Sequence, residues 1–92
     1  MEKLPFYERY TRKNVSIRTF SSQIDPEELK WHQDDETRFI RVKKGSGWSI
    51  QYDNQLPQPL QEGRSYLVMR GEWHRVIKGD DDLVVEIERI NE

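Results

Sequence analysis

The segment RFIRVKKGSGWSIQYD, residues 38–53, contains two runs of alternating apolar and polar residues separated by Gly-Ser-Gly. Alternation with a period of two is typical of β-strands that are buried on one face. Because glycine permits the backbone angles of a tight turn, the segment predicts a β-hairpin closed by residues 45–47, with Val42 opposite Ile50. In that register one face carries all the large apolar side chains: Ile40, Val42, Trp48, Ile50 and Tyr52.

Four further segments predict strands from alternation or from runs of β-branched and aromatic residues. They are VSIRTF at 15–20, RSYLVM at 64–69, WHRVIK at 73–78 and DLVVEIERI at 82–90. Asp25 is a favourable helix N-cap and Pro26 suits the first helical position, so residues 25–29 predict at most one short helical turn. With turn signals between the strands, the pattern indicates an all-β barrel or sandwich.

Length and composition exclude several classes of function. The 92 residues are expected to form a single domain, residues 1–92. Its 17 acidic and 15 basic residues are interleaved, so no basic stripe is available and nucleic-acid binding is not expected. No apolar run is long enough to cross a bilayer and no apolar signal-peptide core is present, so we expect no membrane association and a cytoplasmic location. The absence of cysteine excludes disulfides and thiol catalysis.

The segment WHQDDETRF, residues 31–39, places polar side chains at alternating positions. On an extended chain, His32, Asp34, Glu36 and Arg38 share the face that continues into Ile40 and Val42. We therefore expect them to point toward the barrel interior. A buried carboxylate and imidazole are costly unless a metal ion or an opposite charge satisfies them.

The segment GRSYLVMRGEWH, residues 63–74, resembles the second motif of the cupin superfamily of small jelly-roll β-barrels. That motif is a glycine, five residues and then P-x-G-x-x-H. Gly63, Gly71 and His74 stand at the family's spacing, and Met69 replaces the proline. The resemblance covers about residues 28–90 and implies a cupin-like jelly-roll β-barrel or sandwich.

The segment HQDDETRFIRVKKG, which begins at His32, resembles the first cupin motif, H-x-H, three or four residues, glutamate, six residues and glycine. His32 matches the first histidine and Gly45 the closing glycine. Asp34 occupies the position of the second histidine, and Arg38 falls where the glutamate should be. In the family, three histidines and a glutamate hold a divalent metal, so two of the four ligand positions differ here.

Carrying the family's ligands over residue by residue implies a metal site formed by His32, Asp34 and His74. Two histidines and one carboxylate are a legitimate set for a divalent metal such as Fe, Mn, Ni or Zn, and leave positions open for substrate. Arg38 cannot ligate and repels a dication, but it could bind a substrate carboxylate or phosphate beside the metal. If the extended segment that carries His32 and Asp34 ends before residue 35, Asp35 and Glu36 are alternative ligands.

Simpler interpretations are compatible with the same residues. The two histidines could be hydrogen-bonded barrel residues without a metal, and Asp34 could form a salt bridge with Arg38. Trp48, Tyr52 and Tyr66 could line a ligand pocket, although core packing is the more frequent role of such residues in small barrels. Trp31 and Trp73 are expected to point away from the cavity, because each directly precedes a motif histidine.

Three functions follow from these patterns. The first is a metal-dependent enzyme of oxygenase or isomerase type that binds or transforms a small, anionic molecule. The second is a metal-free module that binds a small ligand, and the third is a dimeric interaction protein without catalysis. A homodimer is the usual arrangement in families that the chain resembles, and we also expect one because the first and last predicted strands would need their edges covered.

Overall fold

The computed structural model describes residues 4–91, and almost all of its regular structure is β-strand. The strands are β1 (Tyr7–Arg12), β2 (Val15–Phe20), β3 (Thr37–Lys44), β4 (Ser49–Tyr52), β5 (Gln58–Pro59), β6 (Ser65–Val68), β7 (His74–Ile77) and β8 (Leu83–Ile90). A single 3₁₀ turn, Pro26–Glu28, is the helical segment among residues 4–91, and the Asp25 carboxylate caps it by accepting from the Glu27 amide. The predicted all-β class and the predicted helical turn are therefore confirmed.

The strands form two antiparallel sheets that enclose the core. The larger sheet has the order β1-β2-β8-β3-β6, and the smaller has the order β5-β4-β7. Residues 4–91 contain no helix that could cross a lipid bilayer.

The predicted hairpin at residues 38–53 is wrong, because β3 and β4 belong to different sheets. Val42 lies opposite Val85 of β8, and Ile50 lies opposite Val76 of β7. The glycine-rich link turns the chain from one sheet to the other instead of closing a two-stranded ladder. Gly45 adopts a φ of 136°, and a Cβ at this position would approach Leu83 Cδ1 to 3.0 Å, so the corner requires glycine.

The predicted inward face is nevertheless correct for both segments. Alternation determines which side chains point inward, and both sheets direct that face toward a shared interior. Val42, Trp48 and Ile50 are each at most 1% exposed. The buried apolar core consists of Phe20, Ile24, Val42, Trp48, Ile50, Tyr52, Leu60, Val68, Leu83, Val85 and Ile87.

The edges of the larger sheet differ from the expectation. The first predicted strand, Val15–Phe20, is covered by β1 and β8, and β8 itself lies between β2 and β3. Both strands that were expected to need covered edges are therefore paired within the chain. The strand β1 was missed because its residues, YERYTR, show little apolar alternation and are mostly exposed.

Candidate metal centre

Two backbone hydrogen bonds place the only two histidines of the sequence side by side. The His32 amide donates to the His74 carbonyl at 3.0 Å, and the His74 amide donates to the His32 carbonyl at 3.0 Å. Directly paired residues of an antiparallel bridge project to the same face. The imidazole centroids are accordingly 4.3 Å apart, although 42 residues separate the two along the chain.

Backbone carbonyls determine which ring nitrogens carry hydrogen. His32 Nδ1 lies 2.9 Å from the Lys30 carbonyl oxygen, and His74 Nδ1 lies 2.8 Å from that of Glu72. A carbonyl can only accept, so both Nδ1 atoms must be protonated and donate. In the neutral rings, both Nε2 atoms therefore keep a lone pair available for a metal, which is the usual arrangement of metal-bound histidines.

The Asp34 carboxylate lies between the two Nε2 atoms. Its Oδ2 is 3.3 Å from His74 Nε2 and its Oδ1 is 3.7 Å from His32 Nε2. Ligand atoms about 2.1 Å from a shared ion would be separated by roughly 3 to 3.5 Å. The three groups can each offer one ligand atom within 4.8 Å of the others, so small rotations would bring them to coordination distance.

Hydrogen bonds and neighbouring charges oppose the effect of burial on the pKa values of Asp34 and His74. Burial would raise the pKa of Asp34, but the hydrogen bond from His74 and the positive charge of Arg38 hold it below its ordinary value. Burial would likewise lower the pKa of His74, but the bonds to Asp34 and to the Glu72 carbonyl raise it overall. Asp34 and His74 thus stabilise each other's charged forms, a carboxylate next to an imidazolium.

Arg38 is paired more closely with Glu36 than with Asp34. Its Nε and Nη2 both lie 2.7 Å from Glu36 Oε1, whereas its Nη1 lies 3.4 Å from Asp34 Oδ1. The predicted bridge to Asp34 is present as the longer of the two pairings. Glu36 therefore binds Arg38 rather than joining the triad, and Asp35 is exposed.

A second ionic cluster lies on the inner face of the larger sheet, and sequence reasoning missed it. Glu8 Oε2 accepts hydrogen bonds from Ser16 at 2.7 Å, Arg18 at 3.0 Å and Arg89 at 2.9 Å. Arg89 Nε also lies 3.8 Å from Glu36 Oε1, which connects this cluster to Arg38. An available signal was the alternation within β2 and β8, in which arginines stand in phase with buried residues.

The triad opens into a cavity of about 260 Å³ between the two sheets. Hydrophobic residues of both sheets make up most of its wall, including Phe20, Ile40 and Leu83. Its polar lining is contributed by Arg18, Glu28, Lys30, His32, Asp34, Arg38 and His74. The cavity therefore combines an apolar body with one ionic region.

No family model and no curated protein matches the sequence. Among solved structures, a cupin domain from Bordetella pertussis superposes with a TM-score of 0.63 and 20% identity, covering 99% of both chains. The protein has the cupin fold. The resemblance seen in the two motifs is thus confirmed for the fold.

Larger proteins share the same architecture. The DMSP lyase DddQ from Ruegeria pomeroyi superposes with a TM-score of 0.73 and 10% identity, over 96% of this chain and 48% of its own. The Co(II) form of HppE superposes with a TM-score of 0.71 and 13% identity, over 98% of this chain and 56% of its own. The chain thus spans about half the length of either protein, and these identities establish the fold alone.

Three aromatic residues proposed as ligand contacts lie outside the cavity lining. Trp48 Nε1 donates to the Asp81 carbonyl at 2.6 Å, and the Tyr52 hydroxyl donates to the Leu67 carbonyl at 3.1 Å. The Tyr66 hydroxyl donates to the Pro59 carbonyl at 2.9 Å. Their polar atoms therefore bind the backbone, and we do not carry these three residues into the proposed function.

The two tryptophans that precede the motif histidines are oriented as expected. Trp31 is 39% exposed and Trp73 is 47% exposed. The Arg75 guanidinium lies 4.9 Å from the ring centroid of Trp31, a cation–π distance. Neither indole lines the cavity.

Proposed function

We propose that this cupin-fold protein binds one divalent metal ion through His32, Asp34 and His74 and acts on a small molecule held in the adjacent cavity. The observation that carries the proposal is the convergence of His32 Nε2, His74 Nε2 and the buried Asp34 carboxylate, with both Nδ1 atoms anchored by carbonyls. Mixed imidazole and carboxylate ligands suit Fe(II), Mn(II), Ni(II) or Zn(II).

The donor set fits the chemistry of a catalytic rather than a purely structural ion. Three protein ligands leave coordination positions for water or substrate, and a bound dication supplies Lewis acidity there. Asp34 and His74 are buried and hold their atoms in place, whereas His32 is exposed at the cavity rim. We propose that these side chains orient the ligand against the apolar wall and limit the access of water.

One structural neighbour supports metal binding on this fold, and another supports catalysis. HppE is described in Fe(II) and Co(II) forms, and DddQ is described as a lyase acting on DMSP. They favour an enzyme over a structural role for this chain without indicating which reaction it performs.

Metal content of the untagged protein, prepared without chelator, tests the proposal. We expect about one equivalent of metal per chain, as in mononuclear sites, retained on reloading with Co(II) or Zn(II). The His32→Gln and His74→Ala variants should lose it. Asp35→Asn, an exposed acid outside the triad, is the matched control and should bind normally. A wild-type protein that neither contains nor regains metal would overturn the proposal.

A second candidate function is a small-ligand-binding module that uses no metal. It is favoured by the 3.4 Å pairing of Arg38 with Asp34, which already supplies the carboxylate with a cation. In that case, chelator treatment would change neither the melting temperature nor the affinity for a ligand.

We also propose a homodimer formed through the outer face near β6. Phe39 and Leu67 lie opposite each other in the β3–β6 ladder and are 43% and 45% exposed. Adjacent exposed apolar side chains of this size are a feature of protein interfaces.

A further inference from the structure

We infer that the cavity is a site for a monocarboxylate with a short apolar body, and that Arg18 and Arg38 recognise its head group. The inference rests on the proposed function, because it names the ligand class of that same cavity. It assigns a role to Arg18, which lies on β2, outside both cupin motifs.

The first argument is the placement of the arginines relative to their partners. Arg18 and Arg38 line the cavity, whereas the glutamates that pair with them, Glu8 and Glu36, do not. Each glutamate takes the Nε and Nη2 edge of its arginine. The glutamates thus bind the Nε and Nη2 side of each guanidinium from outside the cavity lining, and Nη1 takes no part in the pairing with glutamate.

The second argument is the charge of the lining. Arg18, Lys30 and Arg38 contribute three positive charges, and Glu28 and Asp34 contribute two negative charges. With neutral histidines the residues that line the cavity have a formal charge of +1. Glu8, Glu36 and Arg89 behind them bring the whole cluster to zero, and a bound dication would raise it to +2. The lining is thus more positive than the layer behind it, which favours an anionic ligand.

The third argument is the shape and chemistry of the remaining wall. At about 260 Å³ the cavity lies just below the range of roughly 300 to 1,000 Å³ found for drug-sized ligands, so it suits a smaller molecule. Phe6 lies 3.7 Å beneath the Arg18 guanidinium, and Phe20 and Leu83 continue the apolar surface. A ligand that fills this space must therefore carry an apolar body as well as an anionic group.

The fourth argument identifies the head group as a carboxylate. Arg38 Nη1 already contacts a carboxylate oxygen, Asp34 Oδ1, at 3.4 Å. Because a glutamate occupies the Nε and Nη2 edge of each arginine, Nη1 of Arg18 and Nη1 of Arg38 are the guanidinium donors left for the two oxygens of a carboxylate. A singly charged head is also the better match, since two glutamates already offset much of the charge on the two arginines.

Titration with hexanoate, monitored by amide chemical shifts of the ¹⁵N-labelled full chain, tests the inference. Hexanamide has the same shape without the charge, and acetate has the charge without the apolar body. We expect saturable binding of hexanoate, and affinities about tenfold lower for both matched probes. Absence of saturable hexanoate binding, or equal binding of hexanamide, would overturn the assignment.

Variants distinguish a specific role of the two cavity arginines from a general effect of positive charge. Arg18→Gln and Arg38→Gln should each weaken hexanoate binding by about tenfold, whereas Arg41→Gln, on the exposed outer face of β3, should not. The Arg18 variant should still fold, because Glu8 keeps hydrogen bonds from Ser16 and Arg89. Wild-type affinity for hexanoate in both cavity variants would overturn the assignment.

Repeating the titration with chelator and with Zn(II) separates this inference from the proposed function. A protein that binds no Zn(II) but binds hexanoate through the two arginines would refute the metal centre and support the carboxylate site. A protein that binds Zn(II) but shows no preference for hexanoate would refute the carboxylate site and leave the metal centre supported.

Discussion

Replacing Arg38 by glutamine should tighten metal binding. Its Nη1 is 3.4 Å from Asp34 Oδ1, and an ion lies about 2.1 Å from its ligand atoms, so the charge and the ion would be roughly 5 Å apart. A dication and a single positive charge at that separation repel by about 7 kcal/mol at an effective dielectric constant of 20, and by about 1.7 kcal/mol in water. Because Asp34 and His74 are buried and His32 is exposed, the effect lies between these limits, and the lower limit alone corresponds to at least roughly tenfold tighter binding.

Competition between the apo protein and a chromophoric chelator for Co(II) or Zn(II) measures this affinity. The Arg41→Gln variant removes the same charge from the same strand on its outer face and should bind metal like the wild type. If Arg38→Gln binds metal no more tightly than Arg41→Gln, the electrostatic reasoning is wrong. Weaker binding would instead mean that Arg38 helps to position Asp34 for coordination. The same variant should bind hexanoate about tenfold more weakly, so its effects on metal and on hexanoate affinity have opposite signs.

Three further predictions concern stability and assembly. Glu8 has a pKa below its ordinary value of 4.5, because hydrogen bonds from Ser16 and Arg89 and the charge of Arg18 outweigh its burial. The stability that ionised Glu8 contributes is therefore present above pH 4.5 and is lost as the pH falls through its folded-state pKa. The free energy of unfolding in urea should differ most between Glu8→Gln and the wild type near neutral pH. A difference that stays constant down to acidic pH would contradict this. A Cβ at Gly79 would collide with backbone atoms of Ser46 and Trp48, so Gly79→Ala should cost about 3 kcal/mol in the free energy of unfolding, and an unchanged urea midpoint would refute the packing argument. Leu67→Glu should convert the proposed dimer to monomer in sedimentation velocity without lowering the melting temperature of the monomer, and a wild type that sediments as a monomer would exclude the dimer.

Alternation along the chain was sufficient to predict the inward face, but it did not predict which strands pair. Trp48 and Ile50 are buried as their positions in the pattern require. The glycines between β3 and β4 indicated a turn, and a turn can close a hairpin or carry the chain between sheets. Local sequence does not distinguish these outcomes, because strand pairing depends on residues far away, such as Val85 and Val76.

Strand periodicity in the sequence by itself determined the fold class, and the resemblance to the two cupin motifs implied the three candidate ligands, because both are local properties of the chain. Only the tertiary structure decided how the charges pair. Glu36 pairs with Arg38, and Glu8 pairs with Arg18 of β2 and Arg89 of β8. Strand pairing brings residues as far apart in sequence as Glu8 and Arg89, 81 positions, within hydrogen-bonding distance. The three aromatic residues proposed as ligand contacts donate hydrogen bonds to backbone carbonyls instead. Which acceptor lies nearest to a side chain depends on how the strands are arranged in the fold, and the local sequence does not contain that information.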